Sequence, residues 1–197
     1  MLKGWERRSS IFFQAGKGCD GYFTHEGLLV QPEKVIELFE ENLPGNAIAA
    51  FGFDNATTHQ KHSEDVFSAH KAPKFPKIWP KKNGQQGCKI RDSYVPNKHP
   101  QSLYFPDDHL QYLGYVKGMV VILQERGFDN VAKLPAQCEK FKYQDSQPGM
   151  CCCHHILFNQ PDFKAQKPAL EELIEPHGSL VFFYPKFHCE LNFIEQC

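Results

Sequence analysis

The chain has 197 residues, 41% hydrophobic and 23% charged, a length and balance that suit one domain with a genuine core and demand no second. A net charge of −1 excludes a globally basic nucleic-acid binder and leaves local bias as the place to look for partners. No run approaches the roughly 18 apolar residues needed to cross a bilayer, so no membrane partner is expected.

In chain order, the opening "MLKGWERRSSIFFQ" lacks an apolar stretch long enough for a signal peptide. Residues 9–16, "SSIFFQAG", predict a strand ended by Gly16 and Gly18. Thr24 is placed to N-cap a helix with Leu28, Leu29, Ile36, Phe39 and Leu43 at near-helical spacing, ended by Pro44-Gly45. Pro32 should bend that helix or mark its first turn. "NAIAAFGFDN" (46–55) is a short apolar run without alternation, which predicts a strand covered on both faces and ending at Asp54-Asn55.

Residues 60–112 are proline- and lysine-rich and predict extended, loop-like chain. A segment of that length without regular structure is usually functional or inserted. Helices are predicted over 115–127, with Gly127 as its cap, more weakly over 130–141, over 151–160, and over 167–178 with Pro168 in its first turn and Gly178 after its end. "SLVFFYP" (179–185) predicts a second buried strand. The order predicts an α/β fold with one layered core and no internal repeat.

Ligands on such sheets sit at the carboxyl ends of strands. Asp54 ends one predicted strand, and Glu190 and Glu195 follow the other, so neighbouring strands would bring Asp54 and Glu195 together. Carboxylates gathered in a partly buried site repel unless a cation or proton lies between them, and hard cations such as Mg²⁺ take such oxygens. Spacing alone favours the plainer reading, in which Asp54 makes a turn and Glu195 sits in the first turn of a helix.

A resemblance changes that weighting. "FGFDNATTH" (51–59), followed at distance by "FHCELNFIEQC" (187–197), resembles the second and third catalytic blocks of the DDE superfamily of transposases and endonucleases. In mariner-type members the second acid stands in an Asp-Asn pair and the third closes "Asp-Leu-Asn-Pro-Ile-Glu". Here that stretch reads Glu190-Leu191-Asn192-Phe193-Ile194-Glu195. "DGYFTHEGLL" (20–29), "KAPKFPK" (71–77), "PQSLYFP" (100–106), "KGMVVILQERG" (117–127) and "CCCHHILFNQPDF" (151–163) resemble blocks of the fungal DDE proteins, so the likeness runs along nearly the whole chain.

The resemblance implies a ribonuclease H-like mixed sheet flanked by helices. It implies Asp54 and Glu195 as catalytic ligands of Mg²⁺ or Mn²⁺, with Glu190 as a further ligand and Asn55 and Asn192 as orienting groups beside them. His59, five residues after Asp54, would orient water or phosphate near the metals or else serve as a turn residue. It also implies hydrolysis or strand transfer at DNA phosphodiesters, and a nuclear location. Asp54 and Glu195 are 141 residues apart, wider than in compact members, which places an insertion at about 60–160, Lys/Pro-rich and then Cys-rich.

Two departures qualify it. The family needs an aspartate on its first strand, and the single upstream candidate, Asp20, stands just 34 residues before Asp54. The chain also stops at Cys197, where the family continues into a helix. The expectation is therefore a partial catalytic domain without its first strand and closing helix, inactive by itself.

Two further groups stand out. Eight cysteines without a leader point to an intracellular, reducing compartment, where they serve as thiols or metal ligands. Cys138 with Cys151, Cys153 and His155 offers a soft set for Zn²⁺, with Cys152 and His154 as alternates in the same run; the alternative is buried thiols on a helix beside exposed histidines. Between Lys71 and Lys98 stand eight basic residues against one acid. Lys74, Lys77, Lys81, Lys82 and Arg91 would track a DNA backbone, with Phe75, Trp79 and Tyr94 for stacking, or would merely solvate a loop. A function of a different class is a non-catalytic DNA- or protein-binding remnant of a mobile element that uses those groups rather than the acids.

Overall fold

The computed structural model describes residues 17–18, 24–78, 89–95, 99–139 and 150–186. The expected first strand at 9–16 and the block at 187–197 lie outside them. The fold is mixed α/β, with small parallel and antiparallel sheets flanked by helices, and the chain divides into two compact units: 1–63 with 167–197, and 64–166.

Among the described residues, the first element of the first unit is helix α1, His25–Asn42, where the Thr24 hydroxyl accepts from the Gly27 N–H at 3.2 Å as expected of an N-cap. The helix runs on through Pro32, which neither marks the first turn nor ends it; the ring forgoes one backbone hydrogen bond and is buried. Leu43 adopts an extended backbone and Pro44-Gly45 follow, the stop read from the sequence. Strand β1 is Ala50–Phe53.

The second segment of this unit supplies the strand that β1 pairs with. The helix read over 167–178 is a shorter one, Ala169–Ile174, continued by a 3₁₀ turn at Glu175–His177. Gly178 then turns the chain at φ 73°, a left-handed backbone that suits glycine. The strand Leu180–Phe183 pairs parallel with β1, Ala50 against Leu180 through Phe53 against Phe183. Lys61 O accepts from Ala169 N at 2.9 Å and Ser63 Oγ donates to Glu172 Oε2 at 2.9 Å, tying the loop after β1 to this second segment.

Both strands were expected to be covered on both faces, and the structure corrects this. In register, Phe51, Phe53, Val181 and Phe183 form a half-buried face, while Ala50, Gly52, Leu180 and Phe182 form an exposed one. Among the described residues nothing covers that second face. At Gly52 a Cβ would stand 2.8 Å from the Phe182 ring and 2.9 Å from the Tyr184 hydroxyl, so any larger residue would have to push those two side chains aside.

In the second unit, β2 (Lys77–Ile78), β3 (Ser93–Tyr94), β4 (Pro100–Gln101) and β5 (Tyr115–Val116) make two short antiparallel pairs, β2 with β5 and β3 with β4. Tyr115–Val116 were read as helix; instead α2 begins three residues later, as Gly118–Glu125. Gly118 explains the break, since it holds φ +74° with its Cα side against the Phe75 backbone, where a Cβ would meet the carbonyl carbon at 2.6 Å. The first free donors of α2 are taken by the preceding loop, Met119 N by Pro73 O at 2.8 Å and Val120 N by Lys74 O at 3.1 Å. Gly127 follows the end of α2 at φ 85°, as expected of a helix stop.

Of the predicted helix over 130–141, residues 140 and 141 lie outside the described ones; within the rest, Val131–Lys133 is a 3₁₀ turn, and Pro135 keeps Leu134 extended after it. Within the helix predicted over 151–160, Cys153–Phe158 forms α3, and a further short helix, α4 (Pro161–Lys164), follows it; we call Ala169–Ile174 α5 and Leu180–Phe183 β6. The loop-like stretch 60–112 is irregular in backbone yet rich in core: Phe67, Ile90 and Leu103 are buried with Val116, Ile122, Leu123, Val131, Ile156, Leu157 and Phe163. The Arg126 side chain is wholly buried and forks onto Asp162, at 2.7 and 2.8 Å, and it donates to Gln101 Oε1 at 2.8 Å. Among the described residues no helix is long and apolar enough to cross a membrane.

Candidate functional site

The strand-end carboxylate comes first because β1 and β6 are neighbours. Parallel pairing in register brings the carboxyl ends of both strands side by side, with Tyr184 N donating to Phe53 O at 2.8 Å. Asp54 is therefore the residue directly beyond that end. Its side chain is half-exposed, Oδ1 accepts from Ala56 N at 3.4 Å, and the His59 imidazole pairs with the same carboxylate. His59 Nδ1 also reaches the Asp54 carbonyl at 3.0 Å, and its ring packs on Phe53 with centroids 5.6 Å apart. His59 is thus half-buried and its ring nitrogen is directed to Asp54 by the turn that the His59 and Gln60 N–H groups close onto Ala56 O. Asn55 is half-buried in that turn. Glu190, Asn192 and Glu195 lie outside the described residues.

The second group lies in the other unit, and it is the one cluster among the described residues in which three metal-ligating side chains gather. Cys138, Cys151 and Cys152 hold their sulfurs within 4.8 Å of one another, so the three could hold a metal ion. Cys138 Sγ is 3.3 Å from Cys151 Sγ, which is 4.0 Å from Cys152 Sγ and 3.2 Å from His155 Nδ1. The backbone arranges this. Cys153 N donates to Pro135 O at 3.1 Å and His154 N to Ala136 O at 3.0 Å, so the extended segment before Cys138 is fastened across the start of α3.

Cys153, expected among the ligands, lies outside this cluster. As the first residue of α3 it shares the buried face with Ile156 and Leu157, at i+3 and i+4, and its thiol donates to Val131 O at 3.3 Å. Burial pushes the Cys153 thiol up, keeping it neutral, with Lys74 opposing. Cys152 takes its place: as the N-cap it is extended, and its sulfur accepts from His155 N at 3.3 Å while facing Cys151. His154, the alternate imidazole, is buried and stacked beside Phe158, with centroids 6.2 Å apart.

Crowded thiols resist ionisation. Hydrogen bonding with Cys151 first, then burial and Cys152, push the Cys138 thiol up to about 12 from an ordinary 9.0. A cation between the sulfurs reverses that preference, because a coordinating thiol gives up its proton.

The basic residues are dispersed in role. Lys74 Nζ lies over the Phe75 ring at 5.0 Å, Lys77 is exposed on β2, and Arg91 pairs with Asp65 at 3.3 Å. Lys81, Lys82 and Trp79 lie outside the described residues. Phe75 and Tyr94 are each more than half-exposed, as stacking groups would need to be.

No protein-family model, curated protein or solved structure matches this chain. The chemistry of its own residues therefore carries the functional argument.

Proposed function

We propose that the chain carries DDE-type catalytic residues on a ribonuclease H-like fold, a site suited to displacement at DNA phosphodiesters. The observation that supports it is the parallel β1–β6 pair, which sets Asp54 at the carboxyl end of the sheet beside the strand from which the Glu190–Glu195 block follows. The donor chemistry of Asp54 suits a hard divalent cation: it offers a half-exposed carboxylate at the strand end. Mg²⁺ or Mn²⁺ held there would stabilise the attacking and leaving oxygens of a phosphodiester displacement. Asp54 presents a ligand oxygen, and His59 fixes the carboxylate's rotation through its Nδ1 contact. Lys74, Lys77, Lys81, Lys82 and Arg91 offer contacts to phosphate, which would make binding fall steeply with salt.

The test is Mn²⁺ titration followed by electron paramagnetic resonance, beside a supercoiled-plasmid nicking assay. Asp54→Ala and Glu195→Ala should each weaken Mn²⁺ binding, and any nicking by the parent chain should vanish with Asp54→Ala. Unchanged Mn²⁺ affinity in both variants, or nicking that survives the loss of Asp54, removes the assigned site.

A second reading has its own observation. For the three gathered thiols we propose Zn²⁺ as the ion, in a structural role compatible with a non-catalytic DNA- or protein-binding remnant. Thiolate is a soft ligand that selects zinc over Mg²⁺.

A further inference from the structure

We infer that the thiol cluster is a four-coordinate Cys₃His zinc centre, with Cys138, Cys151 and Cys152 as thiolate ligands and His155 Nδ1 as the fourth. This rests on the zinc reading above and goes further by fixing the ligand set and the part it plays in the unit.

Structural zinc is tetrahedral. Bonds of about 2.3 Å to sulfur and about 2.05 Å to nitrogen place two sulfurs about 3.8 Å apart and a sulfur about 3.6 Å from a nitrogen. The pairs through Cys151 fall on either side of those edges: 3.3 Å to Cys138, 4.0 Å to Cys152 and 3.2 Å to His155 Nδ1. Cys151 is the shared corner, and each other group already stands within a few tenths of an ångström of its coordination distance from it. Completing the centre requires the His155 ring to swing toward the remaining two sulfurs, a motion about its own side-chain torsions.

Adjacent cysteines rarely bind one ion together because a regular helix spreads consecutive side chains around its axis by about 100° each. This chain escapes that limit by changing backbone between them. Cys152 is extended, at φ −160° and ψ 162°, and α3 starts at Cys153, so Cys151 and Cys152 precede the helix while His155 lies inside its first turn. Cys153, the first helical residue, faces the core instead. The two hydrogen bonds from α3 to Pro135 and Ala136 hold the Cys138 arm in place without metal, so the ion closes a frame that is already assembled. Cys138 and Cys151 are 13 residues apart, and a shared ion ties off that loop, limiting the freedom of the unfolded chain.

The chain would be produced with zinc, purified under reducing conditions without chelator, and assayed for metal per chain by mass spectrometry. Cobalt would then replace zinc to report ligand type and geometry by absorption. About one zinc per chain is expected, with intense thiolate-to-cobalt bands and tetrahedral d–d bands. Cys138→Ser, Cys151→Ser and Cys152→Ser should lose the metal, and Cys153→Ser should keep it. His155→Ala should weaken zinc by more than the roughly 10-fold that loss of an outer-shell partner costs at least, and shift the d–d bands, whereas His155→Cys, which restores a ligand, should bind. Circular dichroism of each variant separates lost folding from lost ligation.

The outcomes part cleanly. A folded wild-type chain without metal removes the zinc reading itself, and this inference with it. Zinc that depends on the three cysteines but not on His155, with an unchanged cobalt spectrum, overturns the fourth ligand and leaves the zinc reading standing. Metal lost from Cys153→Ser but kept in Cys152→Ser overturns the ligand set.

Discussion

Residues 64–166 and the unit formed by 1–63 with 167–197 differ in how regular backbone and apolar burial go together. The first has two-residue strands and long irregular loops, yet Phe67, Ile90, Leu103, Ile122, Leu123, Ile156 and Leu157 are almost completely buried. The second has, among the described residues, the longest helix and the longest strands and buries Leu170 and Ile174, yet Leu180 and Phe182 are 60% and 45% exposed and Ile48 is 67% exposed. Regular backbone and a packed core are separate properties. The same contrast runs through the candidate sites. The thiols are held by a backbone frame inside a packed unit, while Asp54 stands half-exposed at a strand end. A soft-metal centre can rest on that frame alone; a hard-metal site needs further oxygens gathered round Asp54.

The largest expected effect that tests the contrast lies in the packed unit. The Arg126 side chain is wholly buried and its charge is met by Asp162, so Arg126→Ala leaves a carboxylate without its partner and should cost about 3–5 kcal/mol in urea unfolding. The same pair sets an acid response. Burial raises the Asp162 carboxyl, but hydrogen bonds from Arg126 and Ser93 outweigh it and hold the group below the ordinary carboxylate value. A depressed folded value means the stabilisation is present above the unfolded pKa and is lost as pH falls through the folded one. Asp162→Asn should flatten that loss of stability in acid; an unchanged acid limb would show that other carboxylates govern it.

Next in size is a pair of truncations, one in each unit. Leu123 has no exposed surface, and Leu123→Ala should cost about 2–5 kcal/mol through lost burial and a residual cavity. Leu180→Ala, on the open face of β6, should stay within about 0.5 kcal/mol. Equal losses measured by denaturant unfolding would mean that the open face is covered in solution, and the contrast would collapse.

How much of this was legible in the sequence depends on whether the deciding interaction is local. The Thr24 cap, the stop at Pro44, the left-handed Gly178 and the strand end at Asp54 each follow from a residue acting on its neighbours, and each was readable. Gly118 carried a readable hint that went unused: a glycine inside an apolar helical pattern here marks contact with the Phe75 backbone, a pairing no local pattern reveals. Pro135 was likewise a visible break in the predicted helix over 130–141. For the metal centre, the cysteine run was legible as a soft cluster, but the choice of Cys152 over Cys153 was not. It turns on whether α3 starts before or after one residue, and the capping of that helix by a sulfur and two distant carbonyls decides it.

The smallest effect belongs to the open unit and has the opposite sign in pH. Lys167 pairs with Glu175 across the ends of α5, on the surface. The Glu175 hydrogen bond raises the Lys167 ammonium above its ordinary value of 10.5, against a lesser cost of burial, with Glu171 and Glu172 adding to the rise. A raised folded value means this stabilisation is present below the unfolded pKa and disappears as pH rises through the folded one. Both partners are roughly half-exposed, so solvent and salt screen the pair and its contribution is slight. Lys167→Met should therefore leave acid stability untouched and slightly flatten the alkaline limb, an effect that fades in high salt. The measurement is hydrogen exchange at α5 amides, corrected for the intrinsic rise of exchange with pH. A Lys167→Met effect of the same size at acid and alkaline pH would show that the side chain acts through packing of its stem over α5 rather than through its charge.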